Sequence, residues 1–393
     1  MIFKELMDRY KKGIALEEEK KLVEEELDKY EAIEEYFAEM IDLNFPTSLE
    51  DEQYKEESIK LKKSVNSRLR KVVIKSVAIM SALILSIFFI ISPFMGSLYY
   101  NPTKVTMGDT DYDIDFDMYA LTELNLPGYA LSSQVHVDKL GFGNYDISYF
   151  RSNLFTQETN YVYSKINRGH NLTNHTKFVD DDYFNFSSIR YPRIVNPQQI
   201  KEQKERVMNH VKQLSPVSYT SSWFTFENDM TMEELHQLKL KYPNVDFVWA
   251  GVRTAPHNEG IRDLLGFSMR FGVGKLSVDK PDAEKYPAFD LLEWLVHPTY
   301  DGGEMYLEPK GYELHFKDLL KYLVDRKDAV NVLDIPRKYE YYKQALDYVE
   351  EYGVKTFGVL VYSEAQDLIE LVDNEPIKTL ELNQVMASKR YIN

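Results

Sequence analysis

The distribution of apolar and polar residues divides this chain into a short front part, one long apolar segment and a large rear part. The apolar segment runs from Ser76 to Tyr100 and contains no charged residue. Because about 20 mostly apolar residues are enough for a helix to cross a bilayer, the pattern predicts a single transmembrane helix. A cleaved signal peptide would lie near the N-terminus and a buried core helix would show a polar stripe, so both alternatives fit less well.

Basic residues cluster directly before the apolar segment, and no Asp or Glu occurs between Glu57 and Asp109. Lys and Arg next to a transmembrane helix are retained on the cytoplasmic face, so we expect residues 1–71 inside the cell and 101–393 outside. An aromatic belt at the far end would complete the membrane anchor. The predicted anchor residues are Arg68, Arg70, Lys71, Lys75, Tyr99 and Tyr100.

The front part predicts a short all-α helical hairpin, since its apolar residues follow helical spacing on both sides of Gly13. Two helices of this size rarely build a core worth more than about 3–5 kcal/mol, so we expect their apolar faces to bind a partner. A helix lying on lipid is the alternative, and its acidic charge argues against it. The candidate partner-binding residues are Leu6, Tyr10, Val23, Leu27, Tyr30, Ile33 and Phe37.

Charge and composition limit the function further. The front part and the rear part are both acidic, so neither is expected to bind nucleic acid directly. The chain has no cysteine, which excludes disulfides, thiolate metal sites and a cysteine nucleophile. We predict neither a cofactor nor a metal site.

The rear part predicts an α+β (or α/β) extracellular domain with amphipathic helices on a sheet. Asp109 to Asp117 alternate acidic and apolar residues, which predicts a strand with one solvated acidic face; the spacing fails the calcium-loop pattern. Strands are also expected at 145–150, 159–167, 217–226, 245–252, 354–362 and 377–382, and helices after Asn196, at 231–241, 288–296, 312–330, around 339–349 and at 364–372. The similar strands at 245–252 and 354–362 leave an internal duplication open.

These features divide the chain into five regions. They are a cytoplasmic helical partner-binding region (1–57), a basic juxtamembrane linker (58–75), the transmembrane helix (76–100), a strand-rich first part of the extracellular domain (101–195) and a C-terminal part of mixed strands and helices (196–393).

Catalytic motifs are missing from the sequence: it has no complete phosphate-binding loop, no HExxH and no GxSxG. Asp290, Glu293 and His297 share a predicted helical face and could act as acid and base, although a surface charge cluster is the commoner arrangement. Trp223, Trp249 and Trp294 could line a ligand groove, but core packing is the more frequent role. We therefore predict that the protein is not an enzyme.

The strings FKELMDRYKKG and LEEEKKLVEEELDKYEAIEEYF, followed by a polar linker, the basic block and a single span, resemble the front of membrane-anchored anti-sigma factors of low-GC Gram-positive bacteria. The rear string YTSSWFTFENDMTMEELHQLKLKYPNVDFVWAGVRT resembles the C-terminal regulator domain of the same sigma factor regulator family. The resemblance covers the first hundred residues and about 200–385, and matches 101–190 more loosely.

The resemblance implies a single-pass protein of the bacterial cell membrane that sequesters an extracytoplasmic-function sigma factor and releases it after an envelope signal. Its expected partners are the sigma factor and membrane lipid, while a membrane co-regulator and an extracellular ligand stay open. The alternative is an envelope receptor that binds a cell-wall or lipid ligand and recruits another cytoplasmic protein. A third, weaker alternative is an anchored surface hydrolase that would depend on Glu293.

Overall fold

The computed structural model describes residues 7, 9–13, 15–42, 51–106, 112–172, 189, 196–261, 263–269, 284–287, 308–334 and 338–389. The chain forms two compact units, Met1–Leu83 and Ile84–Asn393. The predicted residues Leu6, Asp290, Glu293, Trp294 and His297, the helix at 288–296 and the first two aspartates of the acidic series lie outside the described residues.

The first unit contains helix α1 (Glu17–Asp42) and a short helical segment at 9–11, as the periodicity predicts. Gly13 has a positive φ of 70°, a conformation that glycine adopts without the clash of a Cβ atom. Helix α2 (Asp51–Ser86) follows and carries the predicted basic anchor residues Arg68, Arg70, Lys71 and Lys75. Most of α2 and the turns that follow it form one helical stretch, Ile59–Ser97, whose length and apolar composition are sufficient to cross a membrane.

The far end of this helix changes its geometry. Ile87–Ile91 form a π-helical turn, and helix α3 (Ser92–Ser97) follows with Pro93 in its first turn. Proline has no N–H group for the normal i→i−4 bond, and its ring crowds the preceding turn, so a π-helical turn before Pro93 is physically reasonable.

The first sheet of the second unit is an antiparallel meander around β3 (Asn144–Asn153). One edge of β3 pairs with β4 (Thr159–Asn167), which pairs with β5 (His170–Asn171), and the other edge pairs with β1 (Tyr129–Leu131) and β2 (His136–Gly141). The predicted strands at 145–150 and 159–167 are confirmed.

Residues 112–118 are not the predicted strand. Helix α4 (Asp113–Asn125) replaces it, and nearly all of its side chains are buried, including Asp113, Asp115 and Asp117. A helix that is covered all round carries apolar residues on every side, so its sequence can show a chance alternation with a period of two. Acidic residues also suit the positive end of the helix dipole in the first turn.

The second sheet has the order β10-β6-β9-β7-β8 and is antiparallel throughout. Its strands are β6 (Tyr219–Thr231), β7 (Asp246–Val252), β8 (Leu265–Ser268), β9 (Lys355–Glu364) and β10 (Ile377–Met386). The helices before and between them are α5 (Pro197–Val211), α6 (Met232–Lys241), α7 (Glu308–Asp325), α8 (Lys327–Leu333), α9 (Lys338–Tyr352) and α10 (Ala365–Asn374).

This order interleaves two split β-α-β units, β6-α6-β7 and β9-α10-β10, because β9 lies between β6 and β7 and β6 lies between β9 and β10. The similar strands at 245–252 and 354–362 are therefore antiparallel neighbours and do not hold equivalent positions in the two units. A duplication would have to relate β6 to β9 instead.

Several local predictions are confirmed in this part. Asn196 caps α5 by accepting from the N–H of Gln198, and Thr231 with Glu234 forms the capping box of α6. The helix predicted at 312–330 is divided, since Arg326 leaves the helical conformation between α7 and α8. Trp223 and Trp249 are buried and pack edge to face with ring centroids 5.6 Å apart, which is the core-packing alternative.

Candidate functional site

The first candidate site is the hairpin of the first unit, which its own contacts hold closed. Arg9 Nη1 lies 2.7 Å from Glu19 Oε1, and the Tyr10 hydroxyl donates to Glu24 Oε1 at 3.1 Å. Val23 is fully buried. Val23 thus packs inside the hairpin, and its contact with a partner stays a prediction.

The rest of the apolar face of α1 is open. Leu27, Tyr30, Ile33 and Phe37 are 42%, 70%, 53% and 55% exposed, and their spacing places them on the same side of the helix as Val23. We call these four residues the open stripe. Glu31 and Glu35 lie beside it, and Glu34 lies within its arc next to Tyr30; all three are exposed.

Such a stripe is what an amphipathic helix presents to a groove on another protein. Leaving four large apolar side chains in water forgoes the free energy that their burial would supply, about 1.5–3 kcal/mol for each fully buried one. The acidic flanks favour a partner with a basic rim.

The second candidate site lies within the second unit, just after the end of the apolar helix. The Arg326 side chain donates to both carboxylate oxygens of Asp117, from Nε at 2.7 Å and from Nη2 at 2.6 Å, and Nη1 lies 3.1 Å from Asp113 Oδ2. The Tyr322 and Tyr100 hydroxyls donate to Asp117 as well, at 2.7 and 3.1 Å. We call these five residues the α4 ion cluster.

The cluster corrects the prediction of a solvated acidic face and includes one of the predicted anchor residues. Asp113 and Asp117 are buried ion-pair partners and not a solvated face. Tyr100 donates its hydroxyl to a carboxylate of the folded domain, and Tyr99 packs against the turns at Gly143 and Gly169, so both tyrosines contact the domain; their role in a lipid belt stays a prediction.

Electrostatics in the cluster are dominated by burial. Burial raises the pKa of Asp117, and the hydrogen bonds from Arg326 and the two tyrosines offset part of this effect. The pKa of Arg326 is raised by its bonds and charge interaction with Asp117, against the effect of its own burial, so the guanidinium stays charged.

Two further polar links tie α4 to segments of the domain that follow it in the chain. Glu123 Oε1 accepts from Ser268 N–H at 3.1 Å and lies 2.7 Å from His315 Nε2, while Trp249 donates to the Glu123 carbonyl. Burial alone would raise the pKa of Glu123, but the charge and hydrogen bond of His315 outweigh it, and the pKa lies below the usual value.

At the end of the helix, Asn125 Nδ2 donates to the Tyr342 hydroxyl at 2.8 Å, and that hydroxyl donates to Asp334 Oδ2 at 2.6 Å. Helix α4 is thus joined to the domain at its start, middle and end by buried polar groups. Groups of this kind hold one packing arrangement because any partner left unpaired inside the protein is costly.

The predicted anchor residues Arg68, Arg70, Lys71 and Lys75 lie on exposed turns of α2. Among the described residues, no group of three or more His, Asp or Glu side chains has the arrangement of a metal site. The sequence did not single out Glu123, Asn125, His315, Arg326 or Tyr342, because their pairing joins positions far apart in the chain.

Comparison with known families identifies the C-terminal part of the second unit. Residues 211–384 match the family model described as "Sigma factor regulator C-terminal". This part of the chain belongs to the sigma factor regulators. The match spans the second sheet from the end of α5 to β10 and confirms the resemblance of the rear string. No curated protein and no solved structure matches the chain significantly.

The regulator domain supplies Arg326, His315 and Tyr342, whereas α4 lies before the matched residues and supplies Asp117, Glu123 and Asn125. The family and the apolar helix indicate a membrane-anchored regulator with a sigma factor as its partner. Regulators of this family are generally not enzymes.

Proposed function

We propose that this protein is a single-pass membrane anti-sigma factor. Its N-terminal hairpin binds an extracytoplasmic-function sigma factor in the cytoplasm, and its outer domain responds to the state of the cell envelope and sets whether the sigma factor is released. The basic residues before the apolar helix support this orientation.

The proposal rests mainly on the open stripe, which occurs in a chain that also contains a sigma factor regulator C-terminal domain. An exposed apolar helix face needs a partner, and a sigma factor is the partner that the family implies. The stripe is about half exposed, so its full burial would contribute roughly 3–7 kcal/mol before association costs.

Helix α4 supports a route for the signal. Only Leu98–Tyr112 separate the apolar helix from α4, and α4 is fixed in the domain by the ion cluster and the two further links. A change of packing in the outer domain would therefore act on a segment that continues directly into the membrane helix.

The test uses the full chain in membranes, co-expressed with sigma factors of the source bacterium. Leu27→Asp and Ile33→Asp place a carboxylate in the stripe, and Ala32→Asp places one on the opposite, exposed face of α1 as the matched control. We expect the two stripe variants to weaken co-purification by about 30-fold or more, in line with an interface hot spot, and to raise sigma-dependent transcription.

Ala32→Asp should leave both measurements unchanged. If no sigma factor co-purifies with the unaltered chain, or if stripe variants and control behave alike, the proposal fails. Capture of a different cytoplasmic protein by the same stripe would instead favour the envelope receptor that recruits another partner.

A further inference from the structure

Two tight turns of the first sheet pack against the far end of the apolar helix. The β2–β3 turn places Phe142 and Gly143 at positive φ values of 54° and 75°, and the β4–β5 turn places Arg168 and Gly169 at 48° and 75°. Both have the backbone of a two-residue type I′ turn, in which glycine and asparagine are the usual residues. A phenylalanine at positive φ is uncommon and points to a role for its side chain.

The contacts of these turns explain why they need glycine. The Phe142 N–H donates to Ser92 Oγ at 2.9 Å, and the Phe142 ring lies 6.4 Å from that of Phe88. A Cβ atom on Gly143 would lie 3.0 Å from the Tyr99 ring, so a larger residue would push the turn away from the helix. The Arg168 N–H donates to the Gly143 carbonyl and joins the two turns.

The depth of this contact relative to the bilayer follows from its position along the apolar helix. Tyr100 bonds to the α4 ion cluster, and a charged cluster is excluded from hydrocarbon, so the chain at Tyr100 lies outside the bilayer core. Phe88 stands nine residues before Ser97, about 13 Å further along a helix. The Phe142 turn therefore lies at the boundary between the outer domain and the lipid.

The charge around the turns fits that boundary. No Asp or Glu occurs from Lys139 to Tyr145 or from Tyr161 to Asn171, although the domain as a whole is acidic. Leu140 is 56% exposed, and Lys139, Arg168 and His170 are exposed beside it. We call Lys139, Leu140, Phe142, Arg168 and His170 the turn surface.

We infer that the turn surface binds the outer leaflet of an anionic phospholipid bilayer and holds the regulator domain against the membrane. Leu140 and Phe142 enter the interfacial region beside the helix, and Lys139 and Arg168 contact lipid phosphates. With this contact at the outer boundary, the hydrocarbon span ends near Ser92 and, at about 20 residues, begins near Val73. Lys75 then extends its side chain to the inner headgroups. This inference rests on the membrane span in the proposed function.

The chain has no cysteine, so single-cysteine variants report on single positions. A fluorescent label sensitive to polarity is attached at Leu140→Cys or Arg168→Cys in the full chain, reconstituted in nanodiscs of phosphatidylcholine and phosphatidylglycerol. Ile84→Cys marks the apolar helix, and Asn160→Cys marks an exposed position at the opposite end of the first sheet. Quenching by nitroxide-labelled lipid is compared with quenching by aqueous iodide.

We expect lipid quenching at positions 84, 140 and 168 and iodide quenching at 160. Adding Lys139→Gln and Arg168→Gln to the Leu140→Cys chain should weaken docking about fivefold for each cation removed, and only when phosphatidylglycerol is present. If position 140 behaves like 160 while 84 is quenched by lipid, the turn surface does not bind lipid and the span stands. If position 84 is also accessible to iodide, the membrane span itself is wrong.

Discussion

Removal of the Arg326 side chain tests whether the α4 ion cluster fixes the segment that follows the apolar helix. Arg326→Met keeps an apolar stem of similar length and deletes the three N–H contacts to Asp117 and Asp113. The Asp117 side chain is completely buried, whereas that of Arg326 is 20% exposed. The variant therefore leaves a buried carboxylate without its charged partner, with the Tyr322 and Tyr100 hydroxyls as its remaining side-chain donors.

Breaking a buried ion pair by removing one partner typically costs about 3–5 kcal/mol. For a domain of this size each kcal/mol lowers Tm by about 2–4 °C, so we expect Tm to fall by roughly 6–20 °C. Thermal unfolding of the purified full chain measures this. Asp117→Leu combined with Arg326→Met removes the Asp117–Arg326 pair and should recover part of the loss, while the Tyr100 and Tyr322 hydroxyls lose their acceptor and Asp113 loses Arg326.

A matched control separates a general loss of stability from release of α4. Arg253 also forms a bidentate ion pair: its Nε and Nη2 donate to the two carboxylate oxygens of Asp229 at 2.7 and 3.0 Å, in a buried site that does not involve α4. Arg253→Met should also lower Tm, but only Arg326→Met should increase amide hydrogen exchange selectively in residues 113–125. Equal exchange in α4 for the two variants would refute the reasoning.

Three further predictions concern single groups in the second unit. Because folding lowers the pKa of Glu123, its ionised form stabilises the domain above the ordinary glutamate pKa of 4.5, and this contribution is lost as the pH falls through the lowered pKa. In pH-dependent denaturation, the difference in unfolding free energy between the unaltered chain and Glu123→Gln should therefore shrink below about pH 4.5. Tyr342→Phe removes a hydroxyl that bonds to two buried groups and should cost about 1–3 kcal/mol in urea unfolding. Gly358→Ala would place a Cβ atom 2.4 Å from a backbone oxygen of the neighbouring strand and should lower the unfolding free energy by about 1–3 kcal/mol or more. Gly353→Ala meets no atom within 4 Å and should lower it only by the roughly 1–2 kcal/mol of its positive φ, so equal losses of stability in the two variants would contradict the steric argument.

Much of the secondary structure could be predicted because its signals are local. The capping residues Asn196 and Thr231 mark helix starts, and the period of two marks the strand at 159–167, so these elements were correct almost to the residue. Helix α4 could not be recognised, since burial on all sides removes the polar stripe on which helix prediction depends. The division of the helix at Arg326 was missed because no Gly or Pro marks it in the sequence, and the bond of Arg326 to Asp117, 209 residues away, gives no local signal.

The sequence by itself determined the apolar helix, the basic residues before it, the amphipathic hairpin and the resemblance of the rear part to the sigma factor regulators, because each depends on composition or on spacing along a few turns. Only the tertiary structure decided that Val23 closes the hairpin while Leu27 to Phe37 stay open, since exposure depends on which segment folds back. The tertiary structure alone also showed that the aspartates after the membrane helix are core ion-pair partners and that Tyr100 belongs to the domain. Pairing between distant residues is set by the packed fold, and no local pattern of residues encodes it.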